Sequence, residues 1–131
     1  MYTYDVERKH DVSDWMVSQH EHVRWCRAHF PQFHWTGTSS SVAREVLRCN
    51  LRVLARDGAH VVAAVFVNTS GCDAYIAFVG STKPGVGRQL FAHLSDCTEQ
   101  TLRLRATRSA LGFYLKLGFV FTPPFHPRIR W

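Results

Sequence analysis

The chain has 131 residues, of which 46% are hydrophobic and 20% charged, as is typical of a folded globular protein rather than a disordered chain. The longest apolar run, residues 61–67, is far shorter than the roughly 20 residues of a membrane span. The charged N-terminus lacks the apolar stretch of a secretory signal. We therefore expect one domain over residues 1–131, cytoplasmic and without a membrane partner.

The net charge of +6 is carried entirely by residues 81–131, where eight Lys and Arg face only Asp96 and Glu99. Residues 1–80 hold eight basic and eight acidic residues and are neutral. A basic C-terminal part indicates an anionic partner, such as the phosphates of a cofactor, a nucleic acid or an acidic protein. Direct nucleic-acid binding is the least favoured of these, since no base-reading element is recognised.

The first half of the chain predicts one strand and two helices, followed by three strands. Alternation from Tyr2 to Val6 favours a strand, helical spacing covers residues 12–30, and a second helix is expected near residues 42–49. Three serines, Ser39, Ser40 and Ser41, are candidate N-caps for that second helix. Residues 51–55, 61–67 and 74–79 then predict an antiparallel meander, with turns at Asp57-Gly58 and at residues 68–71.

The second half alternates helices and strands. A glycine-containing turn after Val79 leads into an amphipathic helix, residues 102–105 favour a strand, and residues 109–117 favour a helix that precedes a strand at 119–122. The order β-α-α-β-β-β-α-β-α-β predicts an α/β protein with a central mixed sheet flanked by helices. Only residues 128–131 remain for a further strand, so the last strand is expected to be short or absent.

The turn before the third helix is the most informative segment. It reads Lys83-Pro84-Gly85-Val86-Gly87-Arg88. The first amides of a helix lack acceptors and the helix dipole is positive there, so such a turn can hold a phosphate or pyrophosphate. It is neither a P-loop nor a complete dinucleotide fingerprint, because no Gly-Lys-Ser/Thr follows and the third glycine is missing.

A second segment, Ala110-x-x-Phe113-Tyr114-x-Lys116-Leu117-Gly118-Phe119, follows about 25 residues later. Together the two segments resemble the GCN5-related N-acetyltransferase (GNAT) superfamily, over residues 61–121 by motif and over nearly the whole chain by element order. The resemblance implies an acyl-CoA N-acyltransferase fold and acetyl-CoA as the acetyl donor.

The resemblance also implies roles for individual residues. Lys83, Pro84, Gly85, Val86, Gly87 and Arg88 would wrap the pyrophosphate of acetyl-CoA, and Phe78 and Val79 would receive the pantetheine arm where the strand splays open. Further cofactor contacts would come from Thr107, which stands where the family often has Asn, and from Ser109. Tyr114 would be the catalytic residue that protonates the leaving thiolate. The aromatic residues Trp25, Phe30, Phe33 and Trp35 would line the acceptor side or cap the core.

The sequence does not identify which residue acts as the general base. Amine acetylation usually needs a base that is active near neutral pH. No carboxylate lies between Asp73 and Asp96, so the interior of the fourth strand supplies none. Asp73, His60 and His126 are the remaining candidates, and nearby positive charge can replace a base by lowering the pKa of the amine.

Cysteine and histidine positions do not indicate a metal site. The four cysteines form no C-x-x-C pair, so reduced thiols are expected. His22, Cys26 and His29 share one face of the first helix, but no fourth ligand accompanies them, and we predict no metal.

The sequence therefore predicts an N-acetyltransferase that moves the acetyl group of acetyl-CoA to a primary amine on a small molecule or a protein. An alternative from another class is a catalytically inactive module of the same fold that binds CoA or a protein. Thr82, which stands where the family's turn has Gln or Arg, and the missing strand carboxylate keep this alternative open.

Overall fold

A computed structural model describes residues 1–35, 41–122 and 128–130, with side chains through residue 120. Its strands are β1 (Thr3–Arg8), β2 (Leu51–Asp57), β3 (His60–Ser70), β4 (Asp73–Ser81), β5 (Thr101–Arg105), β6 (Val120–Thr122) and β7 (Arg128–Arg130). Its helices are α1 (Trp15–His29), α2 (Val42–Leu47), α3 (Val86–Cys97) and α4 (Leu111–Lys116), and short 3₁₀ turns lie at Lys9–Asp11 and Arg108–Ala110.

The strands form one seven-stranded sheet in the order β1-β2-β3-β4-β5-β7-β6. Neighbours are antiparallel except β4 and β5, which run parallel with α3 as their crossover. The predicted mixed sheet and element order are confirmed, and the last strand is present but short.

Hydrophobic cores fill both faces of the sheet. Helix α3 covers one face, where Leu90, Phe91 and Leu94 pack against inward residues of β2 to β4 and against Tyr114 of α4. Helices α1 and α2 cover the other, where Cys26 and Val46 pack against the strands. Residues such as Val65 and Phe66 alternate between the two cores, as the period of a strand requires.

Some boundaries differ from the sequence prediction. Helix α1 begins at Trp15 rather than near residue 12, because Asp14 adopts a left-handed φ of 53° that interrupts the helix. The prediction of a turn at residues 68–71 is wrong for residues 68–70, because these residues continue strand β3 to Ser70. Asn50 holds this extension in place, because its side-chain oxygen accepts from the Thr69 amide at 2.9 Å.

The cap of helix α2 lies within the predicted serine run. The Ser41 hydroxyl accepts a hydrogen bond from the Arg44 amide at 3.4 Å. Ser39 and Ser40 lie outside the described residues. The helix is thus fixed at Ser41, and this start determines which of its side chains face the sheet.

Candidate active site

The parallel strands β4 and β5 separate near the middle of the sheet. Their pairing ends at Ile76 opposite Leu104, although β4 continues to Ser81. On the other edge of β4, Phe78 pairs with Phe66 and Ile76 with Val67, which leaves Ala77 as the extra residue of a β-bulge. A bulge bends its strand and increases the local twist. The bend at Ala77 thus coincides with the point where β4 leaves β5 and a wedge opens.

A cavity of about 340 Å³ lies at this wedge. Its walls come from both faces of the sheet, since Val79 and Tyr114 belong to the α3-side core whereas Phe33 and Phe78 belong to the α1–α2 side. The lining residues are Phe33, Val42, Glu45, Tyr75, Ile76, Ala77, Phe78, Val79, Leu104, Arg105, Thr107, Ala110 and Tyr114. Residues of both hydrophobic cores therefore line the cavity.

The turn before α3 presents an open N-terminus. Gly85 is the N-cap with a left-handed φ of 79°, which favours glycine, and no atom lies within 4 Å of where its Cβ would be. A Cβ on Gly87 would meet only the ring of Phe113, at 3.5 Å. The first amides of α3 have no intrahelical acceptor. No side chain among the described residues caps them, and Lys83 and Arg88 are exposed beside them.

The turn is anchored to the sheet by Thr82. Its amide and its hydroxyl donate to the Val62 carbonyl at 2.8 and 2.9 Å. The Ser81 hydroxyl donates to the Lys83 carbonyl at 2.6 Å. These bonds hold the backbone in position before Pro84.

Tyr114 is placed in the cavity by aromatic packing between α3 and α4. Its ring lies edge-on to Phe91 and Phe119, with centroids 5.8 and 5.7 Å apart. The residue is 8% exposed, and burial raises the pKa of its phenol to about 12. Its hydroxyl has no hydrogen-bond partner in the described part of the chain, yet it is not among fully buried unsatisfied atoms. The oxygen is thus reachable from the cavity, and it stays protonated at neutral pH.

The other predicted site residues fall into two groups. Phe78, Val79 and Thr107 line the cavity with Tyr114, and the Ser109 hydroxyl lies 3.2 Å from that of Thr107 just outside it. The second group, residues 83–88, forms the turn and the start of α3. Gly87 lies near the ring of Phe113, the residue before Tyr114, so the start of α3 is close to the helix that carries the phenol.

The proposed general bases do not reach the cavity. Asp73 lies at the opposite end of β4, where it accepts from Arg103 at 2.7 Å. His60 is exposed at the start of β3. Neither lines the cavity, and His126 lies outside the described residues.

Glu45 is the cavity carboxylate that sequence reasoning missed. It lies one turn after Val42 on α2, and both side chains line the cavity. Burial raises the pKa of Glu45, whereas Arg105 and then Arg48 lower it. The three-residue spacing from Val42 places both side chains on one face of α2, but only the docking of the helix brings that face to the wedge. A carboxylate whose pKa is raised by burial accepts a proton more readily than an exposed one, and Glu45 is therefore a candidate general base.

The predicted aromatic cluster lies on the Glu45 side of the wedge. Phe33 lines the cavity, and its ring is 5.4 Å from that of Phe78. Trp35 and Phe30 pack behind it against Phe78, at 5.0 and 5.6 Å. Trp25 packs on Phe30 at 5.8 Å, outside the cavity. The cluster therefore supplies one aromatic wall and the core behind it.

In the described residues, no three His, Cys, Asp or Glu side chains come together in a way that could hold a metal ion. His22 lies against Phe66, and burial followed by Arg52 lowers the pKa of its ring to about 4. All four cysteines are unpaired, and Cys26 is fully buried. None of the helices in the described part is long and apolar enough to cross a membrane.

The residues of the wedge and turn fit an acyl-CoA. Unpaired amides and two exposed cations suit a pyrophosphate, and Gly85 leaves the approach open. Beyond Ile76, no strand in the described part of the chain pairs with the β5-facing edge of β4, so its peptide groups can bond an amide-containing arm. The phenol of Tyr114 lines the same cavity and could donate to a sulfur atom there.

No protein-family model matches the sequence, and no curated protein matches it. Solved structures do. Escherichia coli ElaA is 20% identical with a TM-score of 0.69, covering 99% of this chain and 97% of that one. An acyl-CoA N-acyltransferase from Pseudomonas aeruginosa is 14% identical with a TM-score of 0.72 and 99% coverage of both chains.

The catalytic domain of the Tetrahymena GCN5 histone acetyltransferase, in complex with coenzyme A, is also similar. It is 14% identical with a TM-score of 0.64, covering 95% of this chain and 80% of that one. The chain therefore has the fold of the GCN5-related N-acetyltransferases, as the two sequence segments predicted.

Proposed function

We propose that the protein is an N-acetyltransferase that transfers the acetyl group of acetyl-CoA to a primary amine by direct attack. The observation that carries the proposal is the cavity between β4 and β5, which has a phenol from the α3 side and a carboxylate from the α2 side. Acyl transfer to an amine needs a proton donor at the sulfur and a proton acceptor at the nitrogen, and these two groups supply them.

In this proposal the turn and the wedge bind the donor. Residues 83–88 hold the pyrophosphate through helix amides, Lys83 and Arg88, and the free edge of β4 at Phe78 and Val79 holds the pantetheine arm. Thr107 and Ser109 add hydroxyls at the β5 side. Bound acetyl-CoA supplies an activated acyl group, and the chain supplies orientation and proton transfer.

Glu45 and Tyr114 divide the proton transfers. The acceptor arrives as an ammonium, and Glu45 takes one proton to free the lone pair that attacks. A C–N bond forms and a C–S bond breaks. Tyr114 donates to the departing sulfur, and the second proton of the nitrogen replaces the one that Tyr114 gives up. The proton on Glu45 returns to solvent.

Acetyl-CoA binding and thiol release together test the proposal. Thermal unfolding with acetyl-CoA at about 100 times its dissociation constant should add roughly 2.7 kcal/mol of stability. Release of free CoA thiol with a panel of amines and lysine peptides should then exceed the rate without acceptor. Stabilisation without release from any acceptor would favour the binding module, for which the engaged Thr82 side chain is the supporting observation. No response to acetyl-CoA would refute the acetyltransferase and the CoA-binding module, and would leave only a module that binds a protein.

Gly87→Glu should abolish this stabilisation, because the new carboxylate would meet the pyrophosphate at the start of α3. The substitution is compatible with folding, since the Cβ has only an ordinary contact with Phe113. Ser95→Glu is the matched control, because it places the same charge on an exposed position near the other end of the helix. Equal stabilisation of both variants by acetyl-CoA would show that the turn does not hold the donor.

A further inference from the structure

Two opposite charges line the cavity without contacting each other. Glu45 comes from α2 and Arg105 from the end of β5. The ion pairs in the described part of the chain involve other residues. The two groups nevertheless share one electrostatic environment, because Arg105 lowers the pKa of Glu45 against the larger, raising effect of burial.

The neighbouring arginine on the same strand behaves differently. Arg103 projects from the same face of β5, two residues earlier, and its guanidinium donates to Asp73 at 2.7 Å. Arg105 has no such partner among the described residues and faces the open wedge. One strand therefore carries one neutralised arginine and one that is available to a ligand.

We infer that the acceptor is a zwitterionic amine, that is, a molecule with a carboxylate close to its primary amine, such as a free α-amino acid. Its ammonium would face Glu45 and its carboxylate would face Arg105. A guanidinium binds a carboxylate through two parallel hydrogen bonds, which also orients the molecule. The inference rests on the proposed function and names its acceptor.

The rest of the acceptor side favours an apolar side chain on that molecule. Phe33, Val42 and Phe78 line the cavity on the same side as Glu45. The charged groups near Glu45 are Arg105 and Arg48, so a second ammonium would meet two cations and one anion. Polyamines are therefore disfavoured, and an aromatic or aliphatic amino acid fits the wall.

L-phenylalanine and 2-phenylethylamine test the inference, because they differ by the carboxylate alone. With acetyl-CoA, the wild-type kcat/KM should be at least tenfold higher for phenylalanine. Arg105→Gln should reduce that ratio to about one by weakening phenylalanine alone. Arg103→Gln, the matched control on the same face, should leave the ratio unchanged. A wild-type preference for 2-phenylethylamine, or a ratio that survives Arg105→Gln, would overturn the inference.

Calorimetric binding to the CoA-bound protein gives a second readout that needs no turnover. Phenylalanine should bind at least tenfold more tightly than 2-phenylethylamine, and Arg105→Gln should abolish the difference. Equal affinities, or no binding of phenylalanine at millimolar concentration, would contradict the inference even if other amines are acetylated. Failure of acetyl-CoA to bind would instead refute the proposed function, and phenylalanine binding to the free protein would still decide the acceptor class.

Discussion

Two groups of charged side chains lie on the α1–α2 side of the sheet, the structural centre around Arg52 and the pair Glu45 and Arg105 at the wedge. They differ in how many hydrogen-bond and ion-pair partners they have. Arg52 is 2% exposed, yet it donates to Glu7, Gln19 and Ser18 at 2.7 to 2.9 Å and lies 4.0 Å above the Trp15 ring. At the wedge, Glu45 and Arg105 line an open cavity, and neither forms an ion pair within the described residues.

The difference follows from desolvation. A charge that is sealed from water is tolerated only with good hydrogen-bond partners, and every fully buried polar side-chain atom in the described part of the chain has one. A charge beside a cavity keeps water, so it can stay unpaired until a ligand replaces that water. The complete hydrogen bonding of Arg52 therefore marks it as structural, whereas Glu45 and Arg105, which have no ion-pair partner among the described residues, are available for binding.

The largest expected effect is on the structural centre. Arg52→Leu leaves Glu7 and the buried Gln19 without their partner, so the free energy of unfolding should fall by about 3–5 kcal/mol. Arg56→Leu is the matched control on the same strand. Its ion pair with Asp5 is partly exposed and should contribute about 0–1 kcal/mol. Urea denaturation measures both. Similar losses for the two variants would show that the bonding of Arg52 does not distinguish it.

The effect at the wedge should appear in rate rather than in stability. Tyr114→Phe removes the proton donor and should lower turnover by about ten- to a hundredfold, about 1.4–2.7 kcal/mol, with acetyl-CoA affinity nearly unchanged. Steady-state kinetics and thermal shift separate the two. Tyr4→Phe removes a hydroxyl from a ring stacked on His93, outside the cavity, and should leave the rate unchanged. An unaltered rate in Tyr114→Phe would remove the phenol from the mechanism.

The order of elements and the α3 turn could be predicted from the sequence because both depend on local patterns. Alternation of apolar and polar residues defines the meander. A glycine before an amphipathic helix predicts an open helix N-terminus at Gly85, whatever the tertiary contacts of that helix. The prediction of Tyr114 as a site residue depends on a short motif in and around helix α4. These predictions need only residues that are close together in the chain.

Glu45 could not be assigned in the same way, because its environment is made by contacts distant in sequence. Helix α2 must dock on β4, and β4 must bend at Ala77, before this side chain meets the wedge. Asp73 and His60, the bases that the sequence favours among the described residues, lie at the starts of strands, a position that local patterns reveal. The β-bulge at Ala77 lies within the apolar residues of β4, and no residue type in that stretch indicates where a bulge occurs.

The smallest expected effect is a pH dependence of the free energy of unfolding, caused by His22 near Arg52. Burial, followed by Arg52, lowers the pKa of His22 from 6.5 to about 4. Between these values the unfolded chain binds a proton that the folded protein excludes, so stability is full above pH 6.5 and falls as the pH decreases. From pH 7 to 5 the loss of unfolding free energy should be about 1 kcal/mol, allowing for the ring's partial exposure.

The variant His22→Gln tests this prediction, because it should reduce the slope of the unfolding free energy against pH. His20→Gln, at an exposed position of the same helix, should retain it, and equal slopes in the two variants would contradict the assignment.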